Sequence, residues 1–266
     1  MKKYWPIFKI SFQQEFAYRF NFVMWRVRNV LQIFLIFFLW NTIFSDNSKA
    51  LFGYDREKIL TYVLLLLIIK SYVMSSRSID IAGEVARGEL ANYLLKPVSY
   101  FKYWFTRDLS SKALNLIFAS VEILLLYVIL NPPFFFQTKL DFLALFVVSL
   151  IISIFLFFLL LFLFNMFPLW YPEQPWGPTF LLLTFVEFLG GGIFPIDILP
   201  DKVQKILYFT PFPHLIFSPI QIYLGKFDLM TSVKTLSVGC LWLVILFFIV
   251  KKVWNLGLKV YTSEGR

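Results

Sequence analysis

The chain has 266 residues, of which 59% are hydrophobic, 21% aromatic and only 15% charged, and its mean hydropathy is +0.73. These values exclude an ordinary soluble domain, since such domains contain about 25% charged residues and about 45–50% apolar ones. The single cysteine, Cys240, and the single histidine, His214, exclude a disulfide framework and a metal site built from several thiolates or imidazoles. The surplus apolar surface predicts that lipid is the solvent of this chain.

Residues 1–21 carry an amphipathic pattern. Phe8, Phe12, Phe16 and Phe20 recur at every fourth position, and the charged and amide side chains lie away from that stripe. This spacing favours a helix lying in the membrane interface over a plain cytoplasmic extension of the first span. The segment lacks the small-residue cleavage site of a signal peptide, so we expect it to be retained.

Apolar runs long enough to cross a bilayer recur after this helix. A spanning helix needs about 20 mainly apolar residues. Six spans are predicted, at 22–44, 59–75, 113–130, 140–164, 176–193 and 233–250. The fifth contains Pro178, Glu187 and the glycines Gly190–Gly192. We count it as a span because, without it, its flanking loops would lie on the wrong sides of the membrane. The fold class is therefore an all-α polytopic membrane protein.

Positive charge sets the predicted orientation. With six spans, sixteen Lys and Arg residues fall on the side of the N-terminus and seven on the opposite side. Because positive loops stay in the cytoplasm, both termini are predicted to be cytoplasmic. This asymmetry accounts for the net charge of +9, so nothing points to nucleic acid. The loop 165–175 has no positive charge although this layout makes it cytoplasmic.

A charged stretch interrupts the apolar pattern after the second span. Residues 83–97 read GEVARGELANYLLKP, and the pattern predicts a helix over 79–97 that ends before Pro97. Its polar face includes Glu84 and Arg87, whereas the helical spacing places Glu89 toward another side. Such a helix suits docking to a separate soluble protein, and equally an interfacial helix that rests on lipid headgroups.

Between the fifth and sixth spans lies a segment that proline divides into short pieces. Residues 194–224 are too broken to span and too apolar for an ordinary wet loop. Pro200 fits the first turn of a short helix that runs through Tyr208, because its missing N–H is not needed there. The pattern predicts a re-entrant hairpin that dips into the outer leaflet, with its irregular backbone shielded by protein or water.

Lys70, Glu122 and Glu187 are charged residues inside predicted spans. Lys70 is predicted to snorkel to the cytoplasmic headgroups, and Glu122 to have a structural partner. Glu187 precedes Gly190–Gly192 by less than a turn, and small residues permit close helix approach. We therefore predict a subunit seam or substrate path at Glu187, Gly190, Gly191 and Gly192. No phosphate-loop, GxSxG or HExxH motif occurs, so neither a catalytic residue nor a metal site is expected.

Three features in this order carry a resemblance to a known family. They are the Phe-striped first helix, the stretch GELANYLLKPVSYFKYWF after span two, and FPIDILPDKVQKILYFTPFPHLIFSPIQIYLG between spans five and six. Together they resemble the permease subunits of type-2 ABC transporters, exporter-type membrane components that work with a separate ATPase. The resemblance covers essentially the whole chain.

The resemblance implies a single permease domain over 1–266 in the bacterial cytoplasmic (inner) membrane. It implies a second permease subunit, identical or homologous, and two ABC ATPase subunits. The ATPase subunits would bind ATP and Mg²⁺, and no cofactor is expected in this chain. The segment 79–97 would be the coupling helix, with contacts to the ATPase from Glu84, Arg87, Gly88, Glu89 and Leu90. A secondary transporter or channel, and a membrane enzyme acting on lipid, are the alternatives; neither an internal repeat nor a catalytic cluster is visible for them.

Overall fold

The computed structural model describes residues 3–17, 19–45 and 51–262, apart from the side chains of Phe16, Arg19 and Asn21. Within these ranges the regular structure is helical, with no β-strand. The α-helices there are α1 (Trp5–Ala17), α2 (Arg19–Ile43), α3 (Arg56–Ile69), α4 (Ile81–Ala86), α5 (Leu90–Leu94), α6 (Tyr100–Leu130), α7 (Leu140–Phe164), α8 (Gly177–Leu189), α9 (Asp201–Tyr208), α10 (Phe217–Tyr223) and α11 (Leu229–Val260). The all-α prediction is confirmed.

Four of these helices, α2, α6, α7 and α11, are long and apolar enough to cross a membrane. A fifth candidate is a bent pair, in which α3 and its continuation to Met74 meet the segment Arg77–Ala86 at 51°. The predicted fifth span, 176–193, forms α8, which has only 13 residues. At 1.5 Å per residue α8 is about 20 Å long, against a hydrocarbon core of about 30 Å.

The helix boundaries differ from the hydropathy pattern where charged residues continue a helix. Helix α7 begins and ends at the predicted residues, Leu140 and Phe164. By contrast, α6 begins at Tyr100, well before the apolar run at 113–130, and α11 continues beyond 250 to Val260. Lys and Arg are good helix formers, so these helices continue past the part that suits lipid.

The centre of the bundle is α3. Ten of its residues are buried, among them Tyr62, Leu66 and Ile69. About 61% of the most apolar window of α7 is buried as well, compared with 22% for α2 and α6 and 17% for α11. Helices α2, α6 and α11 therefore present broad apolar faces to the surroundings, as expected of helices in lipid.

The first helix packs along the N-terminal half of α6. The Ser110 hydroxyl donates a hydrogen bond of 3.1 Å to the carbonyl oxygen of Phe8, whose ring stacks on that of Phe12. Because α1 ends at Ala17 and α2 begins at Arg19, Phe20 belongs to the next helix. The four-residue stripe of phenylalanines is therefore divided between two helices.

The segment 194–224 folds back on itself between α7 and α11. The Ser153 hydroxyl donates to the carbonyl oxygen of His214 at 2.6 Å, and the Trp242 indole N–H donates to that of Phe209 at 2.9 Å. Ser153 lies 13 residues after the start of α7 at Leu140, and Trp242 lies 13 residues after the start of α11. Both contacts place the turn between α9 and α10 about 20 Å along the bundle from the first residues of α7 and α11.

A partly buried polar cluster holds the open end of this hairpin. Asp197 accepts a hydrogen bond of 3.0 Å from the Tyr54 hydroxyl and forms an ion pair of 2.7 Å with Lys226. The Gln221 amide donates to the Tyr54 oxygen, and the Lys226 ammonium lies 3.2 Å from the centre of the Tyr54 ring. Burial raises the pKa of the Tyr54 hydroxyl, which therefore stays a protonated donor.

Candidate functional site: a polar junction at residues 70–78

After Ile69 the second span changes its winding. Residues Lys70–Met74 form a π-helical turn, and Arg77–Asp80 form a 3₁₀ turn that leads into α4. π-Helical turns in α-helices are frequent at functional sites. We name residues 70–78 and the side chains bound to them the polar junction, because several of these residues make polar contacts with other helices.

Contacts from the polar junction reach five helices. The Lys70 ammonium pairs with Glu187 of α8 at 2.6 Å. Contrary to the prediction, Lys70 therefore does not snorkel to the headgroups. Arg77 pairs with Glu15 of α1 at 2.5 Å. The remaining contacts run from Ser71 to α2, from residues 73–76 to α6, and from Ser78 to α7.

Lys112 of α6 closes the end of the π-helical turn. Its side chain is 2% exposed, and its ammonium donates to the carbonyl oxygens of Val73 at 2.7 Å and Ser75 at 2.6 Å. The last carbonyl groups of a helix have no partner within it, and an ammonium can satisfy several at once. Asp108, one turn earlier and fully buried, pairs with Lys112 at 3.2 Å and accepts a hydrogen bond from the Ser76 hydroxyl. This pair sets the direction in which the chain leaves the second span.

Arg26 of α2 forms the second buried charge centre. Its guanidinium donates two hydrogen bonds to the Glu122 carboxylate of α6, at 2.6 and 2.5 Å. It also donates to the Ser71 hydroxyl at 3.2 Å and to the Asn115 side-chain oxygen at 3.1 Å. Parallel hydrogen bonds of this kind are among the strongest ion pairs. The predicted structural partner of Glu122 is therefore Arg26.

Asn165 connects the polar junction to the end of α7. Its amide donates to the carbonyl oxygen of Ser78 at 2.9 Å, and its side-chain oxygen accepts from the Thr179 hydroxyl of α8. All three residues are buried. The end of the second span, the end of α7 and the start of α8 are thus held together by amide and hydroxyl hydrogen bonds.

The segment that follows the junction is not the continuous helix predicted for 79–97. It forms α4 and α5, which are separated at Gly88, where φ is +74°. A positive φ is readily adopted by glycine and ends α4 there. The chain then continues through α5 and reaches α6 at Tyr100.

The predicted coupling residues divide into buried and exposed groups. Glu84 is 6% exposed and accepts a hydrogen bond of 2.7 Å from the Tyr100 hydroxyl, so it does not share an outer polar face with Arg87. Leu90 is fully buried. Arg87 is exposed and pairs with Glu89 at 2.6 Å, a contact that the helical spacing did not predict. This pairing lowers the pKa of the Glu89 carboxyl, which stays ionised.

The second predicted group of residues surrounds the end of α8. Glu187 reaches Lys70, as described above, and Gly190, Gly191 and Gly192 are buried. The carbonyl oxygen of Gly191 accepts a hydrogen bond of 2.6 Å from the Tyr62 hydroxyl of α3. Within the chain the glycines therefore shape the turn that leads from α8 into the hairpin. Their place at a subunit seam or substrate path stays a prediction.

A comparison with known protein families identifies the chain. The family model described as ABC-2 family transporter protein matches residues 30–265. The chain belongs to the ABC-2 transporter family. Its several apolar helices make this ABC-2 protein a multi-pass membrane component of a transporter. A search of curated proteins gives no match.

The sequence pattern of this ABC-2 permease does not reveal the centre of the polar junction. The predicted layout leaves Asp108 and Lys112 in the cytoplasmic segment between the second and third spans, and Arg26 enters it only as a positive charge of the N-terminal side. One signal was present: Asp108 and Lys112 are four residues apart, the spacing of an ion pair on one helix. Nothing in the sequence indicated that they close the end of another helix.

Proposed function

We propose that this permease is the transmembrane subunit of an ATP-driven exporter and that α4 and α5 receive the movement of a separate ATPase. The observation that carries the proposal is an exposed surface directly after the polar junction. Leu94 is 48% and Leu95 87% exposed, next to the exposed Arg87–Glu89 pair. Exposed leucines beside charges are typical of a protein-binding surface. Family membership supports a partner of this kind.

The polar junction gives this surface a mechanical connection to the bundle. Force on α4 and α5 passes through the short 3₁₀ turn to residues 70–78, which bind α1, α2, α6, α7 and α8 through ion pairs and hydrogen bonds. Buried polar contacts have narrow geometric requirements, so the helices they join move together. We propose that ATP-driven displacement of α4 and α5 changes the tilt of the second span together with the helices bound at the polar junction.

The proposed assembly contains a second permease subunit, identical or homologous, and two ATPase subunits that bind ATP and Mg²⁺. Six passages through a bacterial inner membrane, with both termini in the cytoplasm, complete the layout. The short α8 serves as the fifth passage together with the buried turn that follows it. The hairpin 194–224 is re-entrant from the outer side, which the 20 Å register described above supports.

Impermeant thiol labelling tests this orientation. In a Cys240→Ala background, we expect Thr138→Cys to react from outside intact cells and Asn92→Cys to react only after the cells are opened. Both positions are exposed, so folding does not hide either thiol. Labelling of Asn92→Cys in intact cells at the rate of Thr138→Cys would reverse the layout.

The docking surface is tested by Leu95→Asp. We expect the affinity of the ATPase for the purified permease in nanodiscs to fall about 30-fold or more, because burial of a leucine contributes roughly 2 kcal/mol and the variant buries a charge instead. Lys102→Asp, at an exposed position on α6, is the matched control and should retain binding. The measurement is ATPase binding by titration, together with substrate-dependent ATP hydrolysis.

The same variant separates docking from the interfacial alternative. If α4 and α5 rested on headgroups, Leu95→Asp would lower the affinity of the permease surface for lipid and leave ATPase binding unchanged. Unchanged ATPase affinity in Leu95→Asp, with a complex that forms normally, would refute the proposed docking surface.

A further inference from the structure

The loop between α7 and α8 presents large aromatic side chains to the surroundings. We name residues 165–176 the aromatic loop. Its exposed rings are Phe167 (39%), Trp170 (39%), Tyr171 (57%) and Trp176 (50%). The rings of Phe167 and Tyr171 stack with their centres 5.0 Å apart. The polar junction uses none of these rings.

The aromatic loop is held to the bundle from its inner side. Asn165 at its start bonds to Ser78 and Thr179, as described above, and Met166 and Leu169 are buried. The 3₁₀ turn within the loop packs against α4 and α11. The exposed rings therefore extend from a fixed base.

The charge of the aromatic loop differs from that of the other segments that the layout places on the same side. Residues 165–176 contain neither Lys nor Arg and only one acidic residue, Glu173, whereas 76–112 carry six Lys and Arg and 251–266 carry four. The positive-inside rule therefore does not account for this loop. Trp and Tyr, however, are enriched at the membrane–water interface, because their rings are apolar with one polar end.

Helix α11 shows how deep the loop lies. Its uncharged part runs between Lys234 and Lys251, which are about 26 Å apart along the helix, close to the hydrocarbon thickness of about 30 Å. A Cβ added to Gly257 would meet Leu169 and Trp170, so the loop lies at the level of Gly257. That level is about 9 Å beyond Lys251 and about 7 Å outside the hydrocarbon. The headgroup layer is about 5–8 Å thick on each side, so the loop lies within it.

The surroundings at this level suit lipid headgroups. Leu256 and Val260, which are exposed on α11 before and after Gly257, make the loop continuous with the lipid-facing surface of that helix. Lys252 and Lys259 are exposed on α11 before and after the same level and supply positive charge for lipid phosphates. By contrast, α5 lies farther out, because the backbone N–H of Ala91 donates to the hydroxyl of Tyr261, about 6 Å beyond Gly257 along α11. A protein docked on α5 therefore lies outside this layer.

We propose that the aromatic loop lies in the headgroup layer of the membrane, the inner leaflet in the orientation proposed above, and that its binding partner is phospholipid. The N–H groups of Trp170 and Trp176 and the hydroxyl of Tyr171 can donate to lipid carbonyl and phosphate oxygens. Because Asn165 joins the loop to Ser78, the lipid holds the polar junction at a fixed depth. This inference requires no ATPase and goes beyond the proposed function.

Photo-crosslinking identifies what touches the loop. Tyr171→p-benzoylphenylalanine is placed in nanodiscs of phosphatidylethanolamine and phosphatidylglycerol and irradiated, both alone and with the ATPase. We expect mass spectrometry to find phospholipid adducts at position 171 in both samples. Adducts to the ATPase or to a second permease chain in place of lipid, or no adduct at all, would overturn the inference.

The matched control carries the same replacement at Asn92, which is exposed on α5. It should link to the ATPase and form no lipid adduct. If position 92 never links to the ATPase while position 171 links to lipid, the proposed function fails and the present inference stands.

Electron paramagnetic resonance measures the depth independently and leaves every ring in place. In a Cys240→Ala background, Gln174→Cys carries a nitroxide, and its collisions with O₂ and with a water-soluble nickel chelate give its distance from the hydrocarbon boundary. We expect a position within about 8 Å outside that boundary. Collisions with nickel should be fewer than at Asn92→Cys and more frequent than at Phe248→Cys, which is 62% exposed in the apolar part of α11. Nickel collisions as frequent at position 174 as at position 92 would place the loop in water and refute the inference.

Discussion

Lys112→Met is expected to destabilise the permease by about 3–5 kcal/mol, because it leaves the buried Asp108 carboxylate without its cation. It also removes the donor to the carbonyl oxygens of Val73 and Ser75 at the end of the second span. The measurement is the midpoint of thermal unfolding in nanodiscs, which should fall by about 10 °C. Lys102→Met, at an exposed position on the same helix, should unfold within a few degrees of wild type.

A double variant separates the two roles of Lys112. Lys112→Met with Asp108→Asn removes both charges, so the cost of an unpaired carboxylate disappears while the carbonyl oxygens still lack a donor. We expect partial recovery, and the remaining loss measures the contribution of closing the helix end. A wild-type unfolding midpoint for the single Lys112→Met variant would show that the junction does not depend on this ammonium.

Gly191→Leu is expected to destabilise the turn after α8 and to abolish transport without preventing membrane insertion. The backbone of Gly191 has φ of +84°, and a Cβ there would lie 2.7 Å from the Tyr62 hydroxyl oxygen and 3.0 Å from Phe217 Cβ. A left-handed backbone costs an L-residue about 1–2 kcal/mol, and overpacking adds about 1–3 kcal/mol. The loss should be visible in the unfolding midpoint and in substrate efflux.

The control for this variant lies at the other end of the same helix. A Cβ on Gly177 would meet no atom within 4 Å, so Gly177→Ala should leave the unfolding midpoint unchanged or raise it slightly. Gly191→Ala should lie between wild type and Gly191→Leu. Normal efflux and stability in Gly191→Leu would mean that the turn can form around a side chain.

The positions of the long apolar helices could be predicted because hydropathy is a local property. A run such as 140–164 contains enough apolar residues to cross lipid by itself, and α7 begins and ends where the run does. The order of such runs, the charged stretch at 83–97 and the proline-rich segment 194–224 were also sufficient to indicate the family that the comparison confirms. The break at Gly88 could have been predicted from the glycine, but the apolar spacing on both sides favoured one helix.

The partners of the polar residues could not be predicted in this way. Lys70 and Glu187 are separated by 117 positions, and Arg26 and Glu122 by 96. A charge in an apolar run shows that a partner is needed, because an unpaired charge in lipid is costly, but it does not show which helix supplies it. The same holds for Glu84, whose helical spacing suggested an outer face and whose carboxyl is instead buried against Tyr100.

The sequence by itself determined that this protein is an all-helical membrane permease, since composition and run length alone decide which segments prefer lipid to water. Only the tertiary structure decided that residues 70–78 form a junction among five helices and that Lys112 closes the end of the second span. The physical reason is that a hydrogen bond or ion pair depends on distances of a few ångströms between helices. Those distances follow from the packing of the whole bundle and from no single segment.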